Sequence, residues 1–218
     1  MAALVSTQPV VDLYETKTAA ILQRYGSGPR VHYHTGFVED PRRPVTAAGL
    51  REQLFESQER MLRYTSDFWQ LRNVQFRNLL DVGCGLGGSA IYWAQEFDAR
   101  VTAITIAPSH VGLVARMAKQ AGVESRVHPM LCDAAAVPGG GCFDAAIAIE
   151  SSSLFPRQPW FDCLARVLRP GGRVFIADCF VVRAEYEEPF NRQWSGSDWN
   201  RHRIYRRGAG LRFQVGEG

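Results

Sequence analysis

A glycine-rich turn directly after a short apolar run is the feature that most constrains the fold of this chain. The run LLDV at residues 79–82 leads into GCGLGG at 83–88, and a helical pattern follows at 89–97. Glycines let the backbone turn sharply, and they let a ligand approach where no Cβ stands in the way. The segment therefore predicts a strand, a ligand-binding loop and a helix, which is the opening unit of a parallel α/β domain.

From residue 77 onward, short apolar runs alternate with helical patterns, as in parallel α/β folds. The runs predict five strands, at residues 78–82, 100–106, 126–132, 143–149 and 173–180. Helices are predicted at 89–97, at 109–120 with Ser109 as its cap, and at 160–168, where Pro170 and two glycines stop it. Five strands joined by crossovers imply a doubly wound, mostly parallel Rossmann-like sheet.

The N-terminal third has a different pattern. Amphipathic helices are predicted at 11–25 and 50–69, on either side of the unusual segment VHYHTG at 31–36. We interpret residues 1–70 as a helical lid on the substrate side, and residues 71–218 as the Rossmann-like core. A chain of 218 residues is long enough for one domain with such an elaboration and too short for two independent cores.

The C-terminal region departs from the α/β pattern. Seven arginines lie between residues 183 and 212, and only 211–215 resembles a strand. We predict an incomplete or unusual sheet edge with exposed hydrogen-bonding groups. Exchange of elements between subunits of a homo-oligomer would cover that edge, and a truncated or altered reading frame would also account for it.

Composition argues against several classes of protein. The formal charge is +3, which gives no reason to expect nucleic acid as a partner. No apolar run reaches the roughly 18 residues that a membrane span needs, and no signal peptide pattern opens the chain, so a soluble, cytoplasmic protein is expected. The cysteines lack paired spacing, so we expect no metal site and no disulfides, but buried reduced thiols at Cys84, Cys132, Cys142, Cys163 and Cys179.

Asp81 distinguishes two interpretations of the glycine loop. Gly83, Gly85 and Gly88 fit the GxGxxG fingerprint of dinucleotide-binding proteins, which alone would indicate a nicotinamide-dependent oxidoreductase. A carboxylate directly before the glycines is unfavourable next to a pyrophosphate, but it suits a ligand that carries an ammonium group. S-adenosylmethionine has an α-amino group and a sulfonium and no phosphate, so we favour it as the cofactor, with S-adenosylhomocysteine as its product.

Several segments, in order, resemble the class I S-adenosylmethionine-dependent methyltransferases between about residues 77 and 179. The segment AITIAPS at 103–109 is similar to one in the cyclopropane-synthase, sterol and tocopherol methyltransferase branch, and LRPGG at 168–172 resembles the turn that precedes the fifth strand in this class. The wider family often has a ribose-binding carboxylate after the second strand, which this chain lacks. The resemblance implies contacts to the methionine end, the ribose and adenine, and the region of the transferable methyl by Asp81, Gly83, Gly85, Gly87, Thr105, Ile106, Asp133, Ala134 and Glu150.

The segment at 31–36 resembles one in bacterial C-methyltransferases that act on prenyl groups and prenyl diphosphates. Attack by an alkene leaves a carbocation, which aromatic faces stabilise and a base then deprotonates. We therefore favour C-methylation of a prenyl, terpenoid or aromatic small molecule, with Glu150 as the base and Tyr25 and Tyr33 as pocket aromatics. His34 is expected to act as a base or as a cofactor contact. A nicotinamide-dependent oxidoreductase and a non-catalytic, cofactor-binding oligomer remain as alternatives.

Overall fold

The computed structural model describes residues 8–26, 28–38, 40, 42, 49–178 and 185. Within these ranges, two helices precede an alternation of strands and helices, with short 3-10 turns at Leu71–Asn73 and Ser152–Leu154. The helices are α1 (Gln8–Tyr25), α2 (Leu50–Phe68), α3 (Gly88–Glu96), α4 (Pro108–Gln120) and α5 (Arg157–Val167). The strands are β1 (Asn78–Val82), β2 (Arg100–Thr105), β3 (Val127–Leu131), β4 (Phe143–Ile149) and β5 (Leu168–Ala177).

The five strands form one parallel sheet in the order β3-β2-β1-β4-β5. Asp81 of β1 is paired with Ala103 of β2 on one side and with Ile147 of β4 on the other. The chain moves outward from β1 to β3 and then returns to β4, so the strand order reverses between β1 and β4. This confirms the predicted doubly wound sheet, whose ligand site is expected at the carboxyl ends of these central strands.

The predicted strand ends agree closely in the centre of the sheet and less well at β5. The structure has β1 and β4 with the predicted bounds. It begins β5 at Leu168 rather than residue 173, because Leu168 already pairs with Phe143 before the register shifts and pairing resumes between Arg173 and Ala145. The end of the predicted strand, at residues 179–180, lies outside the described residues, as does the C-terminal region apart from residue 185.

The capping role predicted for Ser109 is wrong. Ala107 is the N-cap of α4 and Pro108 is the first helical residue, where its missing N–H costs nothing. The backbone N–H of Ser109 instead donates to the Glu15 carboxylate of α1 at 2.9 Å. A side chain distant in sequence therefore satisfies the N-terminus of α4.

Apolar side chains pack on both faces of the sheet. Leu79 and Leu80 point to opposite faces, as neighbours in a strand do, and belong to two separate clusters. One cluster contains Trp93 of α3 and the other contains Trp160 of α5, and neither indole is exposed. Full burial of one large apolar side chain stabilises the fold by about 1.5–3 kcal/mol, so these clusters fix the sheet that carries the site.

The N-terminal helices pack on the same core. Ile21 of α1 and Leu62 of α2 are buried in the cluster that contains Trp93. The division into a lid at residues 1–70 and a core at 71–218 stays a prediction.

The cysteine environments differ from the prediction in part. Cys84 and Cys163 are buried and Cys132 is partly buried, but Cys142 is exposed, so the prediction of a buried thiol is wrong there. Cys179 lies outside the described residues. Within the described ranges, no group of three or more histidine, cysteine, aspartate or glutamate side chains could hold a metal ion, and no helix is long and apolar enough to cross a bilayer.

Candidate functional site

A pocket lies where the strand order reverses, at the carboxyl ends of β1, β2 and β4. Its walls come from the glycine loop, from residues directly after β2, β3 and β4, and from α1 and residues 31–34. It holds about 920 Å³ of space, part of which is open to solvent.

The glycine loop forms the floor of this pocket. Gly83 and Gly85 both line it, with φ angles of 73° and 52°, in the left-handed region that favours glycine. The N–H groups of Gly83 and Cys84 both donate to the Ile104 carbonyl of β2, at 3.0 and 2.9 Å, which holds the loop on the sheet. A Cβ built on Gly85 meets no atom within 4 Å, so the space beside Gly85 is free for a ligand.

Asp81 lies beneath the loop rather than in the pocket wall. Its carboxylate is 1% exposed and accepts a hydrogen bond from the Ser89 hydroxyl at 2.7 Å, and Ser89 does line the pocket. Burial raises the pKa of Asp81 to about 7. No cationic side chain among the described residues forms an ion pair with Asp81. A positive charge arriving at this end of the pocket would therefore stabilise the ionised carboxylate.

Gly87 does not line the pocket. It is the N-cap of α3 with φ of 81°, and a Cβ there would lie 2.7 Å from a methyl group of Val114 in α4. The structure thus gives Gly87 a packing role between two helices, and it brings Gly83 and Gly85 to the site.

The ends of β2 and β3 provide the next part of the wall. Thr105, Ile106, Asp133 and Ala134 all line the pocket. The Cys132 N–H donates to the Thr105 carbonyl at 2.9 Å, which keeps the two strand ends together. The Asp133 carboxylate accepts from the backbone N–H of Ala135 at 2.8 Å, so its position is fixed by its own turn. All four residues predicted for the nucleoside end are therefore neighbours.

Glu150 follows β4 directly and lines the same pocket. Its φ is 47°, an uncommon backbone conformation for a residue other than glycine. Its N–H donates to the Ala177 carbonyl of β5 at 2.7 Å. Its carboxylate accepts two hydrogen bonds from Thr35, one from the backbone N–H at 2.9 Å and one from the hydroxyl.

His34 directly precedes Thr35 in sequence and also lines the pocket. Its Nδ1 is 2.7 Å from the carbonyl oxygen of Thr35. Since a carbonyl only accepts, Nδ1 must carry the proton, and Nε2 of the neutral ring then has a free lone pair. Nε2 is buried and has no hydrogen-bond partner in the described part of the chain. Burial, and secondly the neighbouring His32, lower the pKa of His34 to about 4, so the ring is neutral at pH 7.

The two tyrosines predicted for the pocket have different positions. Tyr33 lines the pocket and is 41% exposed, whereas Tyr25 lies behind it, with ring centroids 5.7 Å apart in an edge-on contact. Tyr14 of α1, which contacts Tyr33 at 6.1 Å, also lines the pocket, and burial raises its pKa to about 12. Among the described residues, the tyrosine and phenylalanine side chains that line the pocket are thus Tyr14, Tyr33 and Phe155.

Sequence reasoning missed the polar side chains of α2 that hold the segment at 31–36. The Gln58 amide donates to the carbonyl oxygens of His34 at 2.7 Å and of His32 at 3.3 Å. The Glu59 carboxylate contacts His32 Nε2 at 2.6 Å and pairs with Arg30 at 3.0 Å. Gln58 and Glu59 are only 2% and 4% exposed. Gln58 and Glu59 precede the buried Leu62 by four and three positions, and this helical spacing could have indicated that they share its buried face.

His110 of α4 was also missed. It lines the pocket, and its Nε2 is 2.8 Å from the Thr18 hydroxyl of α1. Burial lowers the pKa of His110. Together with the contact between Glu15 and Ser109, this bond connects α1 to α4 at the edge of the pocket. The two residues of each pair are far apart in sequence, so no local pattern indicated them.

Comparison with known proteins identifies the central part of the chain. Residues 79–172 match the methyltransferase domain family. This range runs from the start of β1 through the turn inside β5, and it contains the glycine loop and Glu150. This part of the chain is therefore similar to the methyltransferase domain family, as the resemblance in its motifs indicated.

Curated relatives are similar over a larger part of the chain. The O-methyltransferase cnsE of Penicillium expansum is 32% identical over 171 residues, which are 78% of this chain and 57% of that protein. The methyltransferase GfsG of Streptomyces halstedii is 35% identical over 164 residues, 72% of this chain and 53% of that protein. The chain thus spans little more than half the length of these two relatives.

Solved structures share the fold. A geranyl diphosphate C-methyltransferase from Streptomyces coelicolor A3(2) has a TM-score of 0.78 at 18% identity, covering 97% of this chain and 81% of that one. The [4+2]-cyclase SpnF has a TM-score of 0.77 at 22% identity, covering 94% of this chain and 71% of that one. One architecture thus includes proteins named for different reactions.

Proposed function

We propose that this chain is an S-adenosylmethionine-dependent methyltransferase that acts on a small molecule. The observation that carries the proposal is the buried Asp81 carboxylate beneath a glycine loop that opens to the pocket at Gly85. This arrangement suits an amino-acid-like, cationic ligand, and it lies within the matched methyltransferase domain. The products would be S-adenosylhomocysteine and the methylated acceptor.

The residues at the pocket fit this cofactor. Asp81, with Ser89, provides negative charge near the glycine loop, and the free space at Gly85 leaves room for the methionine part of the molecule. Thr105 and Ile106 would contact the ribose and adenine, and the Asp133 carboxylate can accept a hydrogen bond from the adenine amino group. When bound, S-adenosylmethionine supplies a methyl group on a positively charged sulfur, ready for in-line displacement.

Two groups of this chain can manage the proton of an acceptor. His34 Nε2 has a lone pair and no partner in the described residues, and Thr35, the next residue in the chain, binds the Glu150 carboxylate. The proton of an acceptor hydroxyl would pass to one of them as the oxygen–methyl bond forms. We therefore favour O-methylation, the reaction named for the relative cnsE.

C-methylation is the second candidate. Tyr14, Tyr33 and Phe155 present aromatic side chains at the pocket, and such faces stabilise a carbocation formed on an alkene or aromatic acceptor. Glu150 would then remove the proton from carbon. The fold neighbours named as geranyl diphosphate C-methyltransferases support this second candidate at the level of architecture.

The charges at the pocket favour a neutral acceptor. Among the described residues that line it, Asp133 and Glu150 are the acidic side chains, and no lysine or arginine is present. A diphosphate placed beside two carboxylates would be repelled unless cations intervened. A hydroxylated or prenylated molecule without a phosphate fits this part of the wall better.

The proposal is tested in two steps. Calorimetry with S-adenosylhomocysteine and with NADH separates the methyltransferase from a nicotinamide-dependent oxidoreductase, and binding of NADH alone would overturn the proposal. Transfer of a deuterated methyl group is then measured on phenolic, hydroxylated and prenylated acceptors. NMR of the product distinguishes a new O-methyl from a new C-methyl group. Cofactor binding without transfer to any acceptor would favour the non-catalytic alternative.

The assembly and location of the protein stay predictions. Light scattering on the purified full chain measures whether it forms the predicted homo-oligomer, and fractionation measures whether it is cytoplasmic.

A further inference from the structure

We infer that Thr35 is a positioning residue that holds the His34 imidazole and the Glu150 carboxylate in one fixed arrangement at the pocket. The inference rests on the proposed function, because it treats these two groups as those that face the acceptor. Thr35 itself is not assigned a contact with the acceptor.

Three hydrogen bonds at Thr35 carry the inference. Its backbone N–H donates to Glu150 Oε2 at 2.9 Å, and its hydroxyl donates to Glu150 Oε1. Its carbonyl oxygen accepts from His34 Nδ1 at 2.7 Å. One residue therefore orients both carboxylate oxygens and also fixes the imidazole tautomer that leaves a lone pair on Nε2.

Hydrogen bonds with α2 hold the chain on both sides of Thr35. On one side, the Gln58 amide donates to the His34 carbonyl at 2.7 Å. On the other side, the Phe37 N–H donates to the Ser57 carbonyl at 2.9 Å. Gly36 packs so closely on Ser57 that a Cβ there would lie 2.0 Å from the hydroxyl oxygen. Thr35 is thus held between two anchored neighbours.

Glu150 needs such support because of its own backbone. It lies at the end of β4 with φ of 47°, a backbone conformation that is strained for residues other than glycine. Strained residues persist when their surroundings determine their conformation, and they are concentrated at functional sites. The two bonds from Thr35 come from a segment 115 positions away in sequence, so they join the helical region to the sheet at the reacting side of the pocket.

Conservative substitutions of Thr35 can test the role of its hydroxyl separately from that of its backbone N–H and carbonyl. Thr35→Val has nearly the same shape and keeps the N–H and the carbonyl, but it loses the bond to Oε1. Thr35→Ser retains the hydroxyl. Its χ1 angle is less restricted than that of a β-branched residue, so partial rescue is expected. Thr102→Val is the matched control, because Thr102 is a partly buried threonine of β2 outside the pocket.

The kinetic test uses the full chain and the best acceptor found in the panel. A hydrogen bond to a charged group is worth about 10- to 100-fold. We expect kcat to fall by about that factor in Thr35→Val and by less than about 5-fold in Thr35→Ser. The affinity for S-adenosylhomocysteine, measured by calorimetry, should stay within about 2-fold of the wild type in both variants and in Thr102→Val.

A second measurement does not depend on methyl transfer. In protein labelled with ¹³C at glutamate side chains, the carboxyl resonance of Glu150 should move in Thr35→Val and stay unchanged in Thr102→Val. Long-range ¹⁵N spectra of the His34 ring should report the Nδ1-protonated tautomer in the wild type and in Thr35→Val, because the carbonyl is retained.

The outcomes separate this inference from the proposed function. A wild type that binds S-adenosylhomocysteine but methylates no acceptor contradicts the proposed function, and the NMR spectra then decide whether Thr35 holds the two side chains. An unmoved Glu150 resonance in Thr35→Val overturns the inference. So does a kcat within about 2-fold of the wild type, or an equal loss in Thr35→Val and Thr35→Ser.

Discussion

The two sides of the pocket are built in different ways. On the side of the glycine loop, the site consists mainly of backbone conformation, with strand ends and positive φ angles at Gly83 and Gly85. On the side of residues 31–36, it consists of side-chain contacts between elements far apart in sequence, such as Thr35 with Glu150. The first kind of site depends on a few local residues, whereas the second depends on the packing of α1 and α2 against the sheet.

This difference bears on how the pocket would bind a cofactor and an acceptor. Backbone at a glycine loop suits a common cofactor, while contacts between separate elements can vary with the acceptor. The likeness to both a C-methyltransferase and the [4+2]-cyclase SpnF is consistent with this view, because a shared fold does not determine the reaction.

The largest effect is expected from the charge beneath the glycine loop. Asp81→Asn keeps the size of the side chain and an acceptor for the Ser89 hydroxyl, but removes the carboxylate charge. We expect the affinity for S-adenosylhomocysteine to fall about 100-fold, or about 3 kcal/mol, because a buried charge contact is lost. Calorimetry measures this, with the exposed Asp67→Asn as the control. Unchanged affinity would remove Asp81 from the cofactor site.

The second largest effect, on stability, is expected at Gly88, where the two sides of the pocket meet. A Cβ on Gly88 would lie 2.5 Å from both the Val31 carbonyl oxygen and His32 Nδ1. Gly88→Ala should therefore lower the free energy of unfolding by about 2 kcal/mol through overpacking. Gly112→Ala is the matched control, because nothing lies within 4 Å of its Cβ position in α4, and it should stabilise by about 0.5–1 kcal/mol. Urea unfolding measures both, and equal effects would contradict this account of the contact.

A smaller effect, dependent on pH, is expected at His34. Its pKa is lowered from 6.5 to about 4 in the folded chain, so the unfolded chain binds more protons between these values. The free energy of unfolding should therefore rise as pH increases from 4 to 6.5, by about 1–2 kcal/mol from this group after allowance for its partial exposure.

His34→Gln should remove that contribution, so its stability relative to the wild type should improve as pH falls below 6.5. Thr102→Val, which removes no titratable group, is the control and should keep the wild-type pH dependence. Urea titrations at several pH values provide the measurement. A constant difference between His34→Gln and the wild type across this range would show that His34 is not held neutral.

The smallest effect is expected at the contact between α1 and α4. Thr18→Val removes the hydroxyl 2.8 Å from His110 Nε2 and leaves that buried ring nitrogen without its partner. We expect a loss of about 1 kcal/mol in the free energy of unfolding, measured by urea unfolding. Thr102→Val serves as the control, and an equal loss in the two variants would contradict this role of the Thr18 hydroxyl.

The sheet and the cofactor side could be predicted because their signals are local. Strands β1 and β4 have the predicted bounds, since apolar runs and glycines mark their ends. Gly83, Gly85, Asp133 and Glu150 come to one pocket because parallel strands end at one edge. The LRPGG turn was recognised, but the pairing of Leu168 with β4 depends on register, which the sequence does not specify there.

The acceptor side could be predicted only in part. His34 and Tyr33 stand in an unusual local segment and do line the pocket. Tyr25 lies behind Tyr33, because the direction in which α1 faces the sheet decides which tyrosine reaches the pocket. The roles of Gln58 and Glu59 depend on burial of polar side chains against a distant segment, which requires the packed structure to be known.

The attachment of α1 to α4 also has a consequence for how molecules enter and leave the pocket. Glu15 and Thr18 contact α4 about one helical turn apart, through Ser109 and His110. A molecule passing between these helices would have to break both hydrogen bonds at once. Tyr33, by contrast, stands 41% exposed at the pocket, so arrival and departure past its ring break neither bond. The contact between α1 and α4 therefore closes this edge of the pocket, whereas Tyr33 lies at an exposed edge.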